Sequence, residues 1–234
     1  MIGILAGMGP LSTAPFIDLL MKGWQSEFKV KYDIDFPHVL IYSLPTPFYL
    51  DREINHQNMQ ETIKAGLLNL QRWGANFIAM PCNTAHRYFE QLQASLDIKL
   101  LDIIEATINK IPHKAYNITL LATETTMQSN LYQRQIIKAN KHYTFHKSWQ
   151  KLVNRLINVV KMNVDKNEIN KLAQELIFEI EQHHIDCMII GCTDISVIFE
   201  QMRLDDIVII DSSKCLVDAI IDEIKMTNNN LKIN

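Results

Sequence analysis

Two of the four cysteines, Cys82 and Cys192, stand where an apolar run ends and polar residues begin. Cys82 follows Ile78-Ala79-Met80-Pro81 and precedes Asn83 and Thr84; Cys192 follows Met188-Ile189-Ile190-Gly191 and precedes Thr193 and Asp194. Each segment reads as an apolar strand, a small or cyclic residue, a cysteine and then hydroxyl or amide side chains. The two lie nearly half the chain apart, as an internal repeat would place them. The usual fate of a free cysteine is to fill a core as a small hydrophobe. A filler has no need of flanking Asn and Thr at a strand end, so this pair points to chemistry instead. In open parallel sheets, ligands bind beyond the carboxyl ends of the strands. A thiol that opens a following helix also feels the positive end of the helix dipole, which favours thiolate.

Two thiols on opposite sides of one carbon suit racemisation α to a carboxylate. One thiolate removes the proton, the other thiol delivers a new one, and the roles swap for the reverse direction. The carbanion needs donors aimed at the carboxylate, which helix-opening N–H groups with Asn83, Thr84 and Thr193 would supply. Cys187, at a strand start, and Cys215, among Leu216, Val217 and Ile220, fit the core and receive no role. None of the four shows CxxC spacing, so neither a disulfide framework nor a zinc site is expected.

The opening Gly3-Ile-Leu-Ala-Gly7-Met8-Gly9-Pro10 is a glycine-rich strand-to-helix turn. It is neither GxGxxG nor a P-loop. Backbone at Met8 and Gly9 approaching a small anion fits it better, and its glycines also suit a tight turn.

The elements that would position these residues alternate. Ile2–Leu5, Val39–Tyr42, Phe77–Met80 and Leu100–Ile103 read as buried parallel strands, as do Ile118–Leu121, Met188–Ile190 and Val208–Ile210. Helical spacing covers Leu11–Phe28, Asp51–Trp73, Thr84–Leu96, Thr126–Asn140, Trp149–Met162, Lys166–His184 and Ser213–Met226. Ser12 and Asp51 are N-cap candidates. This βα rhythm predicts an α/β fold with helices on both faces of parallel sheets. Two pseudo-symmetric half-domains are expected, with the active site in the cleft between them: residues 1–105 with 213–234 carry Cys82, and residues 106–212 carry Cys192.

The 234 residues, 47% apolar and 21% charged, exclude disorder and fibrous repeats. A net charge of −3 from 23 basic and 26 acidic residues excludes the clustered cations of a nucleic-acid binder. Lys138–Lys141 reads as a solvated helix face. No apolar run is long enough to span a membrane, and no signal peptide is evident at the N-terminus, so a cytoplasmic protein is expected.

Four segments together resemble the aspartate/glutamate racemase family, its aspartate branch in particular: Ile4–Pro10, Met80-Pro-Cys-Asn-Thr-Ala-His86, Leu120–Thr123 and Ile190-Gly-Cys-Thr193. They stand in family order across about residues 1–226. The resemblance implies two half-domains with one catalytic cysteine each, here Cys82 and Cys192. It further implies no pyridoxal phosphate or metal, an acidic amino-acid substrate (aspartate before glutamate) and a homodimer. An Asp-Arg pair follows the second strand in aspartate-type members, and Asp51-Arg52 stands there. Lys161 matches the family's lysine for the side-chain carboxylate, so Arg52 and Lys161 would select a dicarboxylic substrate. Thr126 resembles the hydroxyl position that binds substrate carboxylate after the fifth strand.

Departures are Ala6 for a usual Gly, Thr125 where some members carry Gly, and Asp194 for the more usual Glu. His86, four residues after Cys82, is expected to serve local packing, and His183-His184 a helix end. Two alternatives remain at this point: an isomerase or decarboxylase of the same fold acting on another small dicarboxylate, and a non-catalytic small-acid binder.

Overall fold

The computed structural model describes residues 1–49, 53–162, 165–199, 202 and 204–231. The chain forms two compact units, Met1–Ala106 with Ser213–Asn234, and Thr107–Ser212.

The first unit is built on four parallel strands: β1 (Ile2–Ala6), β2 (Val39–Ser43), β3 (Phe77–Ala79) and β4 (Lys99–Leu101), in the order β2-β1-β3-β4. Ile4 pairs in register with Ile41 on one side and Ala79 on the other. Every residue of β1 and β3 is buried, as short apolar runs require when both faces of a sheet are covered. Helix α1 (Thr13–Phe28) buries Phe16, Leu20 and Trp24, one residue per turn on a single stripe. Helix α2 (His56–Arg72) does the same with Met59, Ile63, Leu67 and Leu70, which pack with Leu5 and Ile78 of the sheet. The short α3 (Phe89–Gln93) and α4 (Ile103–Ile108) flank β4 in the chain.

The second unit repeats the plan. Strands β5 (Asn117–Leu121), β6 (His142–Tyr143), β7 (Cys187–Ile190) and β8 (Val208–Asp211) are parallel in the order β6-β5-β7-β8. Its helices are α5 (Glu124–Ser129), α6 (Leu131–Lys138), α7 (Lys147–Lys161), α8 (Lys166–Glu181) and α9 (Thr193–Phe199). Trp149, Val153 and Leu156 of α7 meet Leu172, Leu176 and Ile180 of α8, together with Met188 and Ile190 of β7, in one core. The final helix, α10 (Ser212–Leu231), returns to the first unit. There Lys99 pairs with Glu223 at 2.5 Å, and Lys225 pairs with Glu27 of α1.

Strand order decides where a ligand can enter each unit. The chain winds from β1 outward to β2, then returns across to β3 and β4. Adjacent strands β1 and β3 therefore carry connections that leave in opposite directions. The gap beyond their carboxyl ends is the position where open α/β sheets hold ligands. The second unit has the same switch between β5 and β7.

Several element boundaries differ from the sequence expectation. The helix expected from Asp51 starts at His56, where the Asn55 side chain accepts the Asn58 N–H at 3.0 Å; Asp51 lies outside the described residues. Ser12 precedes α1 but does not cap it, because its hydroxyl donates instead to the Gly9 carbonyl at 2.8 Å. The helix expected over Thr126–Asn140 breaks at Asn130, whose φ of 56° ends α5 and opens α6. Thr84–Tyr88 is a 3-10 turn followed by α3, not one α-helix. In 3-10 geometry residues three apart eclipse, which lets Ala85 and Tyr88 share one buried face. Strand β6 is two residues long and α4 only six, too short for either to show a periodicity in the sequence.

Asp186 joins β5 to the turn before β7. One carboxylate oxygen accepts the N–H groups of Tyr116 and Asn117, each at 2.8 Å. Those two bonds hold its carboxyl below the ordinary value of 3.8, with the charge of Lys141 adding and partial burial opposing. A lowered folded-state pKa contributes stability above the ordinary value, and that contribution disappears as pH falls through the folded-state value. We therefore expect Asp186→Ala to cost about 1 kcal/mol at neutral pH after solvent screening. The difference in Tm from the wild type should shrink below the ordinary value of 3.8. A difference constant from neutral to strongly acid pH would refute the assignment.

Candidate active site

In the first unit, the chain leaves β1 through Gly7, whose φ is +92°. A side chain there would meet the Leu44 backbone, with its Cβ 2.5 Å from the carbonyl oxygen and 2.6 Å from the nitrogen. Only glycine fits, because Leu44 N–H is bonded to the Ala6 carbonyl at 3.0 Å. The Gly7 N–H donates to Thr13 Oγ1 at 3.2 Å, fixing the turn to the start of α1. Met8 is thereby turned inward into the same buried cluster as Leu44, Met80, Cys82 and Tyr88. Gly9 follows, and its carbonyl is taken by Ser12.

Cys82 comes two residues after Met80, whose carbonyl accepts its N–H at 2.7 Å. The residue is 9% exposed and Asn83 beside it 4%, while Thr84 is half-buried at the start of the 3-10 turn. His86 bonds the Cys82 carbonyl through Nδ1 at 2.8 Å and receives the Ile103 N–H on Nε2 at 3.2 Å. A backbone N–H has only a proton to offer, so Nε2 accepts and Nδ1–H donates. His86 thus braces the backbone of Cys82 against α4, the local role expected from its spacing.

Tyr88 lies beside the thiol. Burial pushes its phenol pKa up from the ordinary value, Arg87 opposes that rise and the neighbouring Cys82 adds to it. Its hydroxyl meets His56 Nδ1 at 2.6 Å. Neither Tyr88 nor His56 was legible as a site neighbour, since they are brought together from separate helical segments by no local pattern.

In the second unit the residues after β5 form a cap. Thr123 Oγ1 accepts the Thr126 N–H at 3.2 Å and lies 2.9 Å from Thr126 Oγ1. Thr126 is 1% exposed. Cys192 follows β7 and Gly191 and is 6% exposed. Its carbonyl accepts the Ile195 N–H, which closes the first turn of α9, where Thr193 is half-buried. Ser196, one turn on, donates to Asp211 at the end of β8 at 2.9 Å. Cys192 Sγ is 3.9 Å from Asp194 Oδ2, and the same oxygen is 3.0 Å from Lys161 Nζ at the end of α7.

Within each unit the expected residues gather at the switch between central strands. Met8, Cys82 and Asn83 do so in the first; Thr126, Cys192 and Thr193 do so in the second, with Lys161 reaching Cys192 through Asp194. Arg52 lies outside the described residues. The helix dipole expected to act on Cys82 is reduced, since a five-residue 3-10 turn follows it. Cys187 and Cys215 are buried within β7 and α10. Among the described residues no three His, Cys, Asp or Glu side chains form a metal cluster, and no helix is long and apolar enough to cross a membrane.

Two parallel four-stranded sheets flanked by helices are a fold this chain shares with solved structures. The family profile Asp/Glu/Hydantoin racemase matches residues 5–220, and the chain belongs to that family. It is 46% identical over 220 residues to the broad specificity amino-acid racemase RacX of Bacillus subtilis, covering 94% of this chain and 96% of that one. The structure of Picrophilus torridus aspartate racemase superposes with a TM-score of 0.79 at 26% identity, covering 95% of this chain and 93% of that chain. Glutamate racemase of Francisella tularensis, in complex with D-glutamate, shares the fold with a TM-score of 0.65 at 19% identity, over 97% of this chain and 81% of that chain.

Proposed function

We propose that this chain inverts Cα of free amino acids with its own thiols, Cys82 serving one face of the carbon and Cys192 the other. The carrying observation is the equivalence of the two cysteines. Each follows the third strand of a four-stranded parallel sheet with the same strand order, at the switch beside the first strand, and each is more than nine-tenths buried. Burial shields a proton in transfer from bulk water and strengthens each hydrogen bond to the developing charge. Asn83, Thr84, Thr126 and Thr193, with the N–H groups of the turns they open, bind the α-carboxylate and stabilise the carbanion. Met8 and Gly9 close the apolar side near Cys82.

Acidic amino acids, aspartate first, are substrates through Arg52 and Lys161. The strong likeness to a broad-specificity racemase supports a range wider than these. A homodimer and a cytoplasmic location belong to the same proposal through the family resemblance.

Incubation with each amino acid in D₂O tests the reaction directly. Deuterium should appear at Cα, with both enantiomers converging on one mixture. Absence of exchange with every amino acid would remove the reading.

A further inference from the structure

Lys161, which reaches Cys192 through Asp194, is paired with a carboxylate. Lys161 Nζ sits 3.0 Å from Asp194 Oδ2, and the two side chains are only 22% and 8% exposed. That oxygen in turn lies 3.9 Å from Cys192 Sγ. An isolated ammonium close to a reacting thiol would draw substrates with anionic side chains and repel cationic ones, because Coulomb energies grow as water is excluded. An adjacent carboxylate of opposite sign cancels that field a few ångströms away.

We propose that Asp194 sets the substrate range: by holding Lys161 in an ion pair beside Cys192, it weakens this part of the site's preference for an anionic substrate side chain and so admits neutral ones as well. The inference rests on the racemase reading above and deepens it. Asp194 acts as a built-in occupant of the place that a substrate carboxylate would take on Lys161. An acidic substrate must displace it, gaining one ion pair and losing another. A neutral substrate leaves the pair intact.

The test uses aspartate and asparagine, which have nearly the same shape and differ by one charge. Asp194→Asn removes the carboxylate paired with Lys161 and should raise the aspartate-to-asparagine ratio of kcat/KM about tenfold. Lys161→Met leaves the carboxylate unbalanced and should lower that ratio about tenfold. The double variant restores neutrality and should return the ratio to within about threefold of wild type. Any change in the reactivity of Cys192 itself multiplies both substrates alike and cancels in the ratio.

The dissociation constants of L-aspartate and L-asparagine, measured by calorimetry on the same four proteins, supply a readout that needs no turnover. Racemisation with ratios unmoved in both single variants overturns the inference and leaves the racemase reading standing. Binding ratios that shift in opposite directions without Cα exchange in the wild type support the inference and remove the racemase reading. No binding and no exchange with either amino acid overturns both.

Discussion

Cys82→Ala and Cys192→Ala should each lower racemisation by about 10³-fold or more, the scale on which a positioned proton-transfer group acts. The two variants should fail differently. A single remaining thiol still removes the α-proton from the enantiomer that presents it, exchanges that proton with solvent and returns it to the same face. Each variant is therefore expected to incorporate deuterium into one enantiomer without inverting it, and the two variants should act on opposite enantiomers. Cys187→Ala and Cys215→Ala, buried within β7 and α10, should keep turnover and lose only stability. Racemisation within tenfold of wild type in either Cys82→Ala or Cys192→Ala would remove that thiol from the mechanism. Exchange of the same enantiomer by both would refute a division of faces between them.

The largest stability effect is expected at the first turn. Gly7→Ala combines a φ of +92° with a Cβ 2.5 Å from the Leu44 carbonyl oxygen. Neither penalty can relax alone, because moving Leu44 breaks its bond to Ala6. The cost should be about 3 kcal/mol or more, a fall in Tm of roughly 10 °C for a chain of this size. Gly191→Ala is the informative control. Its added Cβ would meet the far end of the Leu120 side chain at 2.6 Å, a group that can rotate away. It should cost about 1 kcal/mol. Equal losses at the two glycines would show that the turn at Gly7 carries no special constraint. The expected loss of activity in Gly7→Ala follows from Met8, which that turn delivers into the cluster holding Cys82.

The parallel sheets were legible because buried strands such as Ile2–Ala6 and Cys187–Ile190 are apolar throughout and bounded by glycine, proline or polar residues. The cysteines were legible for the same reason: each is the first reactive group past such a run. Helix boundaries near the site were less so. The chain around Cys82 turns in 3-10 geometry because Ala85, His86 and Tyr88 are all claimed by the core, and that demand comes from tertiary packing, not local propensity. Asn130 interrupts one amphipathic stretch by adopting a left-handed conformation that asparagine tolerates but its pattern does not announce. The Lys161–Asp194 pair was half visible. Both residues stood out, one by resemblance and one as a departure from Glu, yet nothing in the sequence joined the end of α7 to the start of α9.

The return of α10 to the first unit has a consequence for biosynthesis. The second unit is one uninterrupted stretch, Thr107–Ser212, so its residues are all synthesised before the rest of the last helix. The first unit begins earlier but lacks Leu216, Ile220 and the partner of Glu27 until α10 has been made. Its apolar surface against α1 stays uncovered in the nascent chain throughout that interval. The portion synthesised first is thus the portion completed last, and a chain released near residue 212 would hold every residue of one lobe while the other stayed open to chaperones.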